Sequence, residues 1–104
     1  MQISTTHRDG RLDLKFTGEL DHHAAKKTMR AIGSAIDANL PRDCFLDLEG
    51  LTFMDSSGIA VVLNVHKRMA EIGGRAFVVN VPHQAMKVLI ASGIHRIVDI
   101  LETA

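Results

Sequence analysis

The chain has 104 residues, 46% hydrophobic and 23% charged, with Lys plus Arg and Asp plus Glu balanced at 12 each and a formal charge of zero. That is the size and make-up of one globular domain over residues 1–104, with a single core. The balance leaves no broad basic footprint for nucleic acid, no apolar run approaches the ~18 residues of a membrane span, and no positive-then-apolar signal segment opens the chain.

The lone cysteine, Cys44, excludes an internal disulfide and makes a reducing cytoplasm the natural compartment. Residues 2–7 show partial and residues 11–17 strict period-2 alternation on either side of Asp9-Gly10, a strong short hairpin signal. Gly18-Glu19-Leu20-Asp21 then punctuates, with Asp21 placed to cap a helix over residues 22–39. Ala25, Met29, Ile32 and Ile36 form one apolar stripe on that helix, and Pro41 follows its end. Residues 44–48 are short, apolar and bounded, fitting a buried strand.

After Phe53-Met54-Asp55-Ser56-Ser57-Gly58, a second helix is predicted over residues 57–72, closed by Gly73-Gly74. Its first half, Ile59-Ala60-Val61-Val62-Leu63, is apolar nearly all round, more than one buried face needs, which suggests that a partner covers the other side. Residues 76–81 form the strongest strand pattern. Pro82 opens a third helix carrying Met86, Leu89 and Ile90 and ending at Ser92-Gly93, and a last strand or turn carries Ile97, Val98 and Ile100. The order β-β-α-β-α-β-α-β demands a mixed, mostly parallel sheet with the opening hairpin at one side, packed with helices.

The Asp55-Ser56-Ser57-Gly58 turn carries the functional signal. Asp and Ser are favoured caps and Gly allows a tight turn, so a structural role is the plain reading. A single cap suffices, however, and three consecutive capping-type residues are redundant. Two hydroxyls at a helix N-terminus also sit where free N–H groups and the positive dipole end favour an anion. A phosphate added there changes the charge by roughly −1.5 to −2 without unfolding the chain. A hydrolase nucleophile does not fit, because the elbow requires Gly-x-Ser-x-Gly and Met54-Asp55-Ser56 precedes Ser57. Phosphoaspartate chemistry at Asp55 lacks a nearby Mg²⁺-binding carboxylate, and no Gly-x-x-x-x-Gly-Lys-Ser/Thr loop is present.

Other features have simpler explanations. The pair His22-His23 invites a metal, but helix neighbours point about 100° apart and no Cys is near, so neither metal nor cofactor is expected. His66-Lys67-Arg68 reads as a solvated helix face, Cys44 as a small buried hydrophobe, and Gly73-Gly74 as a helix stop. Phe53 and Met54 are either exposed anchors or core residues closing the strand end. Trp and Tyr are absent and Phe occurs four times, so aromatic interface anchors must be few. Strand-to-helix loops of a parallel sheet gather at the carboxyl ends of the strands, which would bring Asp21 and Ser57 to one end of the domain.

Thr17-Gly18-Glu19-Leu20-Asp21-His22-His23, the block from Asp47 through Phe53-Met54-Asp55-Ser56-Ser57-Gly58 to Ile59, and Ile72-Gly73-Gly74 resemble bacterial anti-sigma factor antagonists, which are single STAS domains. The resemblance spans residues 3 to about 101. It implies a STAS-like α/β domain, not an enzyme, in a partner-switching pathway of transcription regulation. The unphosphorylated antagonist would bind a serine kinase that doubles as an anti-sigma factor. That kinase would phosphorylate Ser57, blocking the complex, and a PP2C-type phosphatase would reverse the modification. The implied partner-facing residues are Asp21, Met54, Asp55, Ser56, Ser57 and Gly58. The other reading is a STAS scaffold or ligand-binding subunit of a transport or sensory complex, which would not require an acceptor serine. A monomer is expected, and Thr103-Ala104 leave little or no final helix.

Overall fold

Asp9 and Gly10 both take positive φ, 52° and 79°, the conformation that a type I′ turn requires at its two central residues. Strands β1 (Gln2–Arg8) and β2 (Arg11–Leu20) therefore pair antiparallel in tight register from Arg8–Arg11 back to Gln2–Thr17. This structure is a computed structural model that describes residues 1–102; the expectation about Thr103-Ala104 lies outside the described residues. After the hairpin come α1 (His22–Asn39), β3 (Asp43–Met54), α2 (Ser57–Glu71), β4 (Arg75–Val79), α3 (His83–Ser92), a 3₁₀ turn (Ile94–Arg96) and β5 (Asp99–Leu101). The five strands form one sheet in the order β1-β2-β3-β4-β5, antiparallel at the hairpin and parallel elsewhere. This is the mixed, mostly parallel sheet that the element order demands.

Each parallel connection steps one strand in the same direction, so right-handed crossovers bring all three helices to one face. On that face Leu12, Leu14, Phe16, Cys44, Leu46, Leu48, Ala76 and Val78 pack against Ala25, Ile32, Ile36, Val61, Val65 and Met69. The opposite face is open. There Phe45 and Phe77 stack with ring centroids 4.9 Å apart, and the Arg11 guanidinium lies 3.7 Å over the Phe45 ring. Asp13 holds Arg11 with hydrogen bonds that push its pKa up.

Several elements differ from their predicted extents for local reasons. β3 continues past Leu48 to Met54, and its burial changes from alternate residues to every third one. Register shifts against β2 on either side of Thr17-Gly18 cause this. Gly50 lies in that stretch, where an added Cβ would stand 2.6 Å from the Phe16 carbonyl oxygen. β4 stops at Val79 because Asn80 turns to positive φ. In α3 the buried residues are Ala85 and Leu89, while Ile90 faces outward at 48% exposure. The fold accounts for part of the apolar excess of α2: the helix lies between α1 and α3 over the sheet, which buries both Val61 and Val62, while Ile59 and Leu63 are half-buried and Ala60 is exposed. Arg68 is likewise not a solvated face. Its guanidinium lies over Gly33 of α1 and donates to both oxygens of Asp37 at 2.7 Å. No helix among the described residues is long and apolar enough to cross a membrane.

Cys44 is buried as expected, and burial, with repulsion from Asp13, pushes its thiol pKa up from 9.0 to about 12. Below about pH 9 the thiol is protonated in both folded and unfolded chains, so it leaves stability unchanged. As pH rises from about 9 towards 12, the unfolded chain alone sheds the proton and stability falls. The native protein is therefore expected to resist thiol reagents at pH 8 and to react when denatured. Urea titrations should show a steeper alkaline loss of stability in the parent than in Cys44→Ala; equal losses would contradict the assignment.

Candidate functional site

Parallel pairing of β2 and β3 sets Leu20 opposite Met54, so both strands end side by side. Their following residues, Asp21 and Asp55, therefore lie in adjacent loops at the carboxyl end of the sheet, each leading into a helix. Asp21 is in extended conformation, and its carboxylate accepts hydrogen bonds from His23 N at 3.0 Å and Ala24 N at 3.1 Å. This is the α1 cap expected of it.

Asp55 joins the two loops. One carboxylate oxygen accepts from Ser57 N at 2.8 Å and the other from His22 N at 3.1 Å. Its backbone N–H donates to the Leu20 carbonyl at 3.3 Å, and its carbonyl accepts from Gly58 N at 3.0 Å. A single side chain thus satisfies orphan donors at the starts of both α1 and α2. Each oxygen of Asp55 is held by one backbone donor, which fixes the carboxylate between the two helix starts.

That division of labour resolves the redundancy of caps. Ser56 stands at the N-cap position of α2 with helical dihedrals and makes no side-chain cap bond. It is exposed, and Ser57, the first residue of α2, is half-buried. Because Asp55 does the capping, neither hydroxyl is needed for it. Glu19, Asp21 and Asp55 make this end of the domain acidic. Beside it, a groove of about 740 Å³ runs between β2 and α1, lined among others by Gly18, Glu19, Asp21, Lys27 and Thr28. The His22 and His23 rings meet edge to face at 5.4 Å.

Two of the partner-facing residues implied by the sequence belong elsewhere. Met54 is fully buried, at 0% exposure, and its side chain closes the core beneath α2. Gly58 is buried above it; a Cβ there would collide with the Met54 side chain and stand 3.3 Å from Leu20 Cδ2. Both residues support the turn from inside, while Asp21, Asp55, Ser56 and Ser57 form its outer rim. The exposed apolar neighbour is Phe53, at 41% exposure. Sequence reasoning also passed over Gln84, whose side chain is hydrogen-bonded to Met54 from the start of α3. No local pattern marks it, since its partner is 30 residues away.

The sequence pattern of the STAS domain family matches residues 2–104. The chain is 33% identical over 102 residues to the anti-sigma F factor antagonist of Paenibacillus polymyxa, covering 98% of this chain and 87% of that relative. Among solved structures it is similar to the anti-sigma factor antagonist SpoIIAA in its unphosphorylated form, with TM-score 0.82 and 26% identity, covering 97% of this chain and 89% of that one. It is also similar to the Bacillus cell fate determinant SpoIIAA in its phosphorylated form, with TM-score 0.73 and 26% identity, covering 97% and 92%.

Proposed function

This chain belongs to the STAS domain family, and from that membership we propose that it is an anti-sigma factor antagonist switched by a phosphate on Ser57. Unphosphorylated, it binds a serine kinase that doubles as an anti-sigma factor. The kinase transfers phosphate to Ser57 and the complex dissociates; a PP2C-type phosphatase restores the binding form. The protein acts in the bacterial cytoplasm as a monomeric STAS domain, a substrate and binding module without catalysis of its own.

The observation that carries this reading is the position of Ser57. It opens α2 with its amide already held by Asp55, and its hydroxyl is not used in the cap. The kinase-facing rim is Asp21, Asp55, Ser56 and Ser57, with Phe53 beside it as an apolar anchor. A helix N-terminus tolerates a phosphate, so the fold survives the modification. Across a desolvated interface the added charge meets Glu19, Asp21 and Asp55 with no water to screen it.

The test is to incubate the protein with its cognate serine kinase and ATP and to map the phosphate. Incorporation should persist in Ser56→Ala and vanish in Ser57→Ala. Phosphate still incorporated into Ser57→Ala and absent from Ser56→Ala would overturn the assignment.

A further inference from the structure

β3 loses its second strand neighbour before it reaches the switch turn. Its pairing with β4 ends at Asp47–Val79, whereas β3 itself runs on to Met54. At Met54 the open edge is closed by one side chain. Gln84 Oε1 accepts from Met54 N at 2.8 Å, and Gln84 Nε2 donates to Met54 O at 2.8 Å. A primary amide carries a donor and an acceptor side by side, so it can replace the missing strand residue. The residue immediately after Met54 is Asp55, whose N–H is bound to Leu20 O on the opposite side. The turn is therefore gripped from both edges, by β2 and by the first turn of α3.

We propose that Gln84 is a positioning residue for the phosphorylation switch: it fixes the end of β3 so that Ser57 is presented to the kinase in one geometry. This rests on Ser57 being the acceptor. Gln84 itself is exposed, and α3 is anchored in the core by Ala85 and Leu89, so the amide governs the turn rather than the fold. Phosphoryl transfer depends on placement, where a shift of about 1 Å can cost roughly a hundredfold in rate.

The experiment compares parent, Gln84→Met, Gln84→Glu and, as a control on an exposed position of the same helix, Lys87→Met. Losing both bonds should speed exchange of the Met54 amide roughly tenfold or more. Kinase kcat on Gln84→Met should fall about tenfold with KM little changed, while Lys87→Met matches the parent. Gln84→Glu supplies a signature that a bulk structural role would not. A protonated carboxyl can make both bonds; a carboxylate still accepts from Met54 N but has no donor for Met54 O and repels it, so Met54 protection should fall as pH rises through about 4. Should Gln84→Met fail to fold, that pH step carries the test. If the parent takes no phosphate on Ser57, the switch reading itself falls. If Gln84→Met is phosphorylated at the parent rate, or Gln84→Glu shows no pH step, the positioning role alone is overturned.

Discussion

Phosphorylation of Ser57 is expected to weaken kinase binding by about a hundredfold or more, and Ser57→Asp to reproduce at least about tenfold of that loss. One pair of unit charges at 4 Å and an effective dielectric of 20 is worth about 4 kcal/mol, and each ~1.4 kcal/mol is a factor of ten. The phosphate carries more charge than an aspartate and reaches further, so the substitution is the weaker block. In the isolated protein the same charge costs little. It sits at the start of α2, where the helix dipole favours an anion by roughly 0.3–1 kcal/mol, offsetting repulsion from Asp55. The thermal midpoint of Ser57→Asp should therefore stay close to that of the parent. Calorimetric titration at two salt concentrations checks the mechanism, since the loss should shrink as salt screens the charges at the rim. Affinity equal to the parent's would contradict an electrostatic block.

The adjacent pair Phe53 and Met54 should separate stability from binding. Met54→Ala empties a fully buried site under α2, beside Leu20 and Gly58, and is expected to destabilise by about 2–5 kcal/mol. Against a typical total of roughly 5–15 kcal/mol, that is a severe loss. Phe53→Ala removes a side chain that is 41% exposed, and should change stability by less than about 1 kcal/mol. Its effect falls on the kinase complex, with roughly tenfold weaker binding as an apolar anchor is lost. Urea denaturation of both variants and titration with the kinase give the four numbers needed. A Met54→Ala protein with the parent's urea midpoint and impaired binding would restore Met54 to the surface and refute the core assignment.

Most of the architecture was legible because its signals are local. Asp9-Gly10 dictated the hairpin, Asp21 the start of α1, and Gly73-Gly74 the stop of α2, each through the dihedrals or side-chain bonds those residues favour within a few positions. The extent of β3 was not legible. Gly50 and Thr52 interrupt the alternation, and the strand persists as β2 shifts register alongside it. α3 was similar: Met86, Leu89 and Ile90 form an apolar group, but packing selected the face carrying Ala85 and Leu89. Arg68 looked solvated in a charged run because its partner, Asp37, is on another helix.

At the switch the division is the same. The sequence by itself determined that two serines follow a capping aspartate at the start of a helix, since that depends only on neighbouring residues. Tertiary structure decided the rest. It set Asp55 between two helix starts, with His22 and Ser57 as its donors, and so relieved the serine hydroxyls of capping. It turned Met54 inward and Phe53 outward, a choice that hangs on strand register, where a slip of one residue exchanges the faces. It also brought Gln84 to the end of β3 across 30 residues of chain. A hydrogen bond across that separation depends on where the sheet and helices bring the chain, and no spacing in the sequence encodes it.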